Sequence, residues 1–401
     1  MKLYDVVIIG GGPVGSRVAQ ELSGMGHKVL VLERKEGPGK KVCCTGIVSQ
    51  ECVRSFAVDE GPILRRVNSA RLISPSGKVL RLQRQEIQAC ILDRQAFDEA
   101  MVHRAQETGT EYVFSAPAKT LEVSSDRVRI ETLRQGGGVK SDARVAVIAC
   151  GFNSRLVERL GLGSINHFVM GAQAEVATPT LDGMELYFGQ KIAPGFFAWL
   201  VPTSPSRARV GLLCHRSPAL YLKKLMNSLA AQGKIASTEA ELSYGRVPLK
   251  SLARTYYDRL LIVGTAAGQV KPTTGGGIYY GLLCADMAAN TLHQALDSDA
   301  LSARGLANYE RQWQKRLGQE LKKGHRVRKF YEGLSDQEID RLFDVIEARD
   351  IANILLRDGN VSFDWHSGSL LRMLGGVAIS KVTKTVKSPL HFRRGNKNPK
   401  L

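Results

Sequence analysis

The chain has 401 residues, 43% hydrophobic and 23% charged, with 56 Lys and Arg against 38 Asp and Glu and a net charge of +18. This length exceeds a single small core, and the balance is that of a folded globular protein, which excludes a disordered or low-complexity chain. No apolar run approaches the roughly 18 residues that span a bilayer, and "VVIIG" begins without a secretory leader, so a cytoplasmic protein is expected, at most peripheral to a membrane.

In chain order, "YDVVIIG" is a short apolar, β-branched run, and "GGGPVGSRVAQELSGMG" follows with a helical period through Val14, Val18 and Leu22. "HKVLVLER" is a second buried strand, which predicts a βαβ unit with a parallel sheet. The segments "ARLIS" and "KVLRLQ" flank the turn signal "PSG" and predict a hairpin. Residues 93–108 read as a helix with Phe97, Met101 and Ala105 on one face, ending at Gly109. "ARVAVIACG" is another apolar strand running into a glycine. From 165 to 245 short alternating stretches dominate, and "RLLIVGTAAG" then returns to the buried-strand style. Beyond 296 the pattern is helical and charged, and Ser335 with Glu338 predicts a capping box. The expected organisation is therefore α/β. Residues 1–164, completed by 246–295, form a Rossmann-type cofactor domain, 165–245 an inserted antiparallel sheet for substrate, and 296–401 a basic helical region.

Seven cysteines (Cys43, Cys44, Cys52, Cys90, Cys150, Cys214 and Cys284) are an odd number in a chain without a leader, so reduced thiols are expected. None of their spacings matches a zinc or iron–sulfur site, adjacent Cys43 and Cys44 are poorly disposed to grip one ion together, and no metal is expected. The histidines are scattered and unclustered along the sequence, and none is assigned a role. Residues 301–401 hold 20 Lys and Arg against 11 Asp and Glu, half of the net excess, and the last 21 hold seven basic side chains and no acid. Such a tail suits an anionic lipid surface or a nucleic acid, or is a solvated end.

Gly10, Gly12 and Gly15 form GxGxxG between strand and helix, where backbone can approach a pyrophosphate at a helix N-terminus. Glu33, followed by Arg34, ends the second strand where a carboxylate accepts from a ribose hydroxyl, which favours FAD or NAD over NADP. A second strand-plus-glycine segment, "IVGTAAGQVKPTTGGGI", brings more backbone amides toward one long cofactor and favours FAD.

Together, GxGxxG with Glu33, "DRQAFD" around Arg94, "ACGFNSR" and "VGTAAGQVKPTTGGGI" resemble the FAD-binding set of the aromatic-hydroxylase-type flavoproteins. Within that group "KVCCTGI", "APGFFAWLVP" and "YERQWQKRLGQEL" resemble the geranylgeranyl reductase family, over about residues 4–375. The resemblance implies Glu33 on the adenosine ribose, Arg94 near the diphosphate or ribityl chain, and Ala118 at the adenine end. It implies Cys43, Cys44 and Gly46 beside the flavin, with Gly276, Gly277 and Ile278 facing the isoalloxazine, and Cys43 as the characteristic thiol. Two departures stand out: Cys150-Gly151 replaces the usual Asp-Gly, and Gly264-Thr265 replaces Gly-Asp. The second leaves a hydroxyl as acceptor, and the first argues against a standard NADPH-driven monooxygenase. Phe197, Trp199 and Pro202 of "APGFFAWLVP" are the implied substrate contacts, with Phe197 and Trp199 on one strand face suited to a long apolar chain.

The implied activity is reduction of C=C bonds in a prenyl chain of a lipid, pigment or quinone. FAD is the cofactor and NAD(P)H or a ferredoxin-like acidic protein the reductant. The proton donor is left open among Cys43, a tyrosine and water. On this reading the basic tail meets the inner face of the cell membrane and not a nucleic acid. A flavin monooxygenase or halogenase of aromatic substrates and an electron-transfer flavoprotein are the alternatives.

Overall fold

The computed structural model describes residues 3–372 apart from 41, 135–136, 153, 160, 180, 182, 353–355 and 357–361. The basic segment 381–401 therefore lies outside the described residues. β1 (Leu3–Ile9) runs into α1 (Pro13–Gly24) and returns along β2 (Val29–Leu32). There follow β3 (Ile47–Ser49), α2 (Gln50–Ser55), β4 (Ile63–Val67), the hairpin β5 (Ser69–Ile73) and β6 (Val79–Gln83), and β7 (Ala89–Leu92). After α3 (Arg94–Glu107) come β8 (Glu111–Val113), β9 (Ala118–Val123), β10 (Val128–Arg134), β11 (Gly137–Ile148) and α4 (Ser154–Arg159). A second sheet is supplied largely by β12 (Phe168–Ala177), β13 (Met184–Phe188), β14 (Phe197–Ser204) and β15 (Arg207–Cys214), then α5 (Pro218–Ala231) and β16 (Ser243–Pro248). The chain closes with β17 (Tyr256–Tyr257), β18 (Leu260–Ile262), a 3-10 turn over Gly264–Ala267, α6 (Ile278–Asp297), α7 (Ala303–Glu332) and α8 (Asp336–Ala348).

The first sheet has the order β17-β18-β11-β1-β2-β8, with β9 and β10 continuing from β11. β1 lies between β2 and β11 and is parallel to both, with Val6 opposite Val29 and Val145. Because a strand alternates its side chains, Val6 and Ile8 enter one core with Val18, Leu22, Phe97 and Met101 of the flanking helices, while Val7 and Ile9 enter another with Leu32, Ile130 and Ile148. Each such fully buried aliphatic side chain contributes about 1.5–3 kcal/mol relative to an exposed one. The sequence-predicted helix over 93–108 is α3, capped by Asp93 Oδ1 and burying Phe97, Met101 and Ala105, and Ser335 and Glu338 close the expected capping box.

The second sheet has the order β16-β12-β15-β14-β13-β5-β6. It takes the 69–83 hairpin from far upstream, and β13 pairs with β5 in parallel, so this sheet is neither built from 165–245 alone nor wholly antiparallel. Local pattern marks the strands of the 69–83 hairpin and of "MELYF", but their pairing across more than a hundred residues has no local signature.

Residues 362–372 strap the loop before α6 to α7. Lys271 and Asp364, both buried, pair at 2.6 Å, and Asp364 O accepts from Tyr280 Oη. Glu320 of α7 accepts from the amides of His366 and Ser367, and Thr273 Oγ1 shares a 2.8 Å hydrogen bond with His366 Nε2. Lys271 in turn closes the glycine loop through Gly275 N to Lys271 O (2.8 Å) and Lys271 N to Gly276 O (3.0 Å).

Asp364→Ala strands a buried ammonium and is expected to destabilise the fold by about 3–5 kcal/mol in urea unfolding, whereas the double variant Lys271→Met/Asp364→Leu recovers most of that loss. A cost below about 1 kcal/mol for Asp364→Ala would contradict this account of the strap.

Candidate active site

A cavity of about 440 Å³ opens along the C-terminal ends of β1, β2 and β11, where a doubly wound sheet places its ligands. Gly10, Gly12, Glu33, Arg34, Arg94, Ala118, Gly151, Thr265, Gly277 and Ile278 line it, together with Cys43 and Cys44. These residues span more than two hundred positions of sequence, and the fold brings them to one continuous wall.

The three glycines of the first turn act differently. Gly10 has φ +112°, and a Cβ there would lie 2.6 Å from Ala149 O. A Cβ at Gly15 would sit 1.9 Å from Gly10 O, so α1 packs on the turn only as glycine allows. A Cβ at Gly12 would meet nothing within 4 Å. No protein contact calls for glycine there, and its bare backbone faces the cavity at the N-terminus of α1, which no side chain caps. That combination suits an anionic pyrophosphate. Glu33 is buried, and its two oxygens accept from Gly11 N (2.7 Å) and Lys35 N (2.9 Å). A carboxylate has about four lone-pair sites, so capacity remains for a ribose hydroxyl. These features fit the adenosine and pyrophosphate portion of FAD.

Arg94 opens α3 and forms a forked pair with Asp98 one turn on, at 2.9 and 3.1 Å. Burial raises the Asp98 carboxyl above its ordinary range, and Arg94 opposes that shift. Cys150 at the end of β11 is pushed up to about 11 by burial, so it presents a neutral thiol to the cavity.

The loop 42–46 is held from the second sheet. Thr45 Oγ1 donates to Gln173 Oε1 (2.9 Å), and Gln173 Nε2 reaches Cys44 O (3.4 Å). Arg209 Nη1 donates to Thr45 O (2.8 Å) and Leu92 O (2.9 Å). Cys43 sits half-buried against Ser243 and Gly245 of β16. Burial raises its thiol pKa, against the Ser243 hydrogen bond, so it is protonated at neutral pH. Gly46 does not line the cavity. With φ +78°, a Cβ there would lie 2.5 Å from Leu92 O, so its close approach is to β7. Nor do Gly15, Gly264 or Gly276 line the cavity: Gly264 packs under Val14 and Gly276 under Lys271. Gln173, Ser243 and Arg209 were not singled out in the sequence, because each is an ordinary strand residue whose role exists only across the two sheets.

Phe197 and Trp199 share a face of β14. Phe197 stacks on Phe196 at 5.0 Å and meets Trp199 edge-on at 6.3 Å. Among the described residues Trp199 Nε1 is buried without a hydrogen-bond partner. Both rings pack on the cluster of Leu213 and Val247, and Val247 lines the cavity, so apolar packing runs unbroken from cavity to aromatic face. Strand alternation puts Pro202 with Ala198 and Leu200 on the opposite face, toward α5.

The histidines are not all isolated: the end of α1 and the last turns of α6 bring His27 and His293 to 2.9 Å.

The model of the family described as lycopene cyclase protein matches residues 5–348. Digeranylgeranylglycerophospholipid reductase 2 of Methanothermobacter thermautotrophicus is 32% identical over 366 residues, covering 88% of this chain and 94% of its own. A geranylgeranyl bacteriochlorophyll reductase-like protein of Thermoplasma acidophilum superposes with a TM-score of 0.84 at 23% identity, over 96% of this chain and 99% of its own. A triple mutant of the flavin-dependent brominase Bmp2 shares the fold at a TM-score of 0.71 and 16% identity, over 94% of this chain and 100% of its own.

Gly15→Ala is expected to lose folded protein. Gly12→Ala is expected to keep its melting temperature while binding FAD about tenfold more weakly, a change of ~1.4 kcal/mol. Equal melting temperatures for the two variants would refute the distinction. Alkylation of Cys43 by iodoacetamide, followed by peptide mass spectrometry, should be slow at neutral pH and rise only above the ordinary thiol value of 9.0.

Proposed function

Because the chain belongs to the family of the digeranylgeranylglycerophospholipid reductases, within the group that the lycopene cyclase protein model describes, we propose that it is an FAD-dependent oxidoreductase that saturates C=C bonds in the prenyl chains of a membrane lipid. The observation that carries this reading is the apolar continuity from the cofactor cavity through Val247 and Leu213 to Phe197 and Trp199. An isoprenoid chain offers area and no hydrogen bonds, so an aromatic face holds it by apolar burial alone.

Bound FAD, once reduced by two electrons, would supply the hydride of the reduction. Glu33, the Gly10–Gly12 turn and the Arg94–Asp98 pair would hold its adenosine and diphosphate end, and Gly275, Gly277 and Ile278 would face the other. The loop 42–46 closes the cavity wall between the two sheets. Cys43, protonated at neutral pH and oriented by Ser243, holds a proton at Sγ for the second alkene carbon, while the apolar wall keeps water away. Tyr279 Oη, committed to Glu51, and Tyr280 Oη, committed to Asp364 O, are engaged elsewhere.

Re-reduction draws on NAD(P)H or a ferredoxin-like acidic protein, supported by the basic character of residues 301–401. The same charge supports docking of the C-terminal region on an anionic lipid surface. Among the described residues no helix is long and apolar enough to cross a membrane.

The test is anaerobic: the holoprotein reduced with dithionite is mixed with vesicles of a geranylgeranyl phospholipid, and flavin reoxidation is followed with product mass. The expected result is reoxidation with two hydrogens gained per double bond. Substrate-stimulated NADPH oxidation only in the presence of oxygen would instead favour a monooxygenase. Cys43→Ala is expected to keep its FAD and lose about 10²–10⁴ in turnover, with Cys43→Ser intermediate, and an unchanged rate would reduce the thiol to a shaping role. Phe197→Ala is expected to raise KM more than it lowers kcat.

A further inference from the structure

α1 and α6 run side by side from the cofactor cavity toward the N-terminal ends of the strands of the first sheet. Their N-terminal ends, at Gly12 and Gly277, line the cavity. At the far end α1 stops at Gly24, and Gly26, with φ +89°, turns the chain so that His27 N bonds back to Leu22 O. That turn aims the His27 ring at the last turns of α6, where His293 and Asp297 stand four residues apart on one face.

His27 Nε2 lies 2.9 Å from His293 Nδ1, and His293 Nδ1 lies 3.6 Å from Asp297 Oδ2. All three atoms fall within 4.8 Å of one another, the only such grouping of three among the described residues. Donors around a tetrahedral zinc at about 2.0–2.1 Å stand about 3.3–3.4 Å apart, so small side-chain rotations convert this cluster into three ligands of one ion. Two imidazoles and one carboxylate select a borderline cation over Mg²⁺ or Ca²⁺. The cluster also lies where two helices of 12 and 20 residues present their C-terminal, negative ends. The imidazoles are half-buried and Asp297 is exposed, which leaves water to complete the coordination.

We propose that His27, His293 and Asp297 form a binding site for a borderline divalent cation such as Zn²⁺, remote from the cofactor cavity. The bound ion clips the far ends of α1 and α6 and so fixes the pair of helices whose near ends carry the cofactor. The site stands on its own geometry and does not depend on the reductase reading.

The test uses the full chain, freed of any affinity tag and stripped with a chelator, titrated with Co²⁺ and then competed with Zn²⁺. The expected result is one saturable Co²⁺ per chain, with visible d–d bands, no thiolate charge-transfer band, displacement by Zn²⁺, and a higher melting temperature with Zn²⁺ present. Asp297→Asn, an exposed substitution that leaves the fold intact, is expected to weaken binding by about tenfold or more, and His293→Ala to abolish it. Both variants are expected to lose the Zn²⁺-dependent rise in melting temperature. Binding unchanged in both variants, a thiolate charge-transfer band, or no saturation below millimolar Co²⁺ would each overturn the proposal. The last outcome would leave the two imidazoles as a simple hydrogen-bonded pair.

Discussion

The structure turns on how closely helices can approach one turn of backbone. A Cβ at Gly15 would lie 1.9 Å from Gly10 O, and Val14 is gripped from the other side by Gly264 and Gly281, whose Cβ atoms would come within 3.0 and 2.6 Å of it. Glycine at these positions lets α1 lie against both β1 and α6. Two helix N-termini and the ends of three parallel strands then converge on a single cleft. One additional methyl group at Gly15 would push α1 outward and separate the two halves of the cavity.

The wall opposite that cleft comes from the second sheet. Gln173, Arg209 and Ser243, on three strands, hold the loop 42–46 through its side chains and backbone. The same sheet carries Phe197 and Trp199 on the face that packs toward Val247, so one sheet both positions the thiol and carries the aromatic pair. The Lys271–Asp364 pair fixes the remaining edge. It is buried in the cluster of Tyr280 and Trp365, and it anchors the glycine loop to the strap and to α7. A buried ion pair contributes little net stability against an apolar replacement, but its directionality specifies one arrangement of the loop.

Much of this was legible in the sequence because it is local. The βαβ unit, α3 with its buried Phe97 face, the 69–83 hairpin and the Ser335 capping box each follow from periodicity and turn chemistry within a few residues. The glycine turn with Glu33 belongs to the same class, as a motif compact enough for spacing alone to imply the chemistry. The geranylgeranyl reductase resemblance likewise rested on contiguous stretches, and the chain belongs to that family.

What the sequence by itself determined is therefore the first βαβ unit, α3, the 69–83 hairpin, the dinucleotide turn and the family, whereas α5 (Pro218–Ala231) inside the expected all-strand segment 165–245 came only from the structure. Tertiary structure alone decided which strands share a sheet, since β5 pairs with β13 across more than a hundred residues. It decided that Gly46 serves β7 and that Pro202 faces away from Phe197. It also brought His27 to His293 over 266 positions and Lys271 to Asp364 over 93. The physical reason is common to all of these. Propensity and periodicity act over a turn or a strand, whereas a long-range pair forms only when the whole core has closed around it, and nothing in its immediate neighbours records the partner.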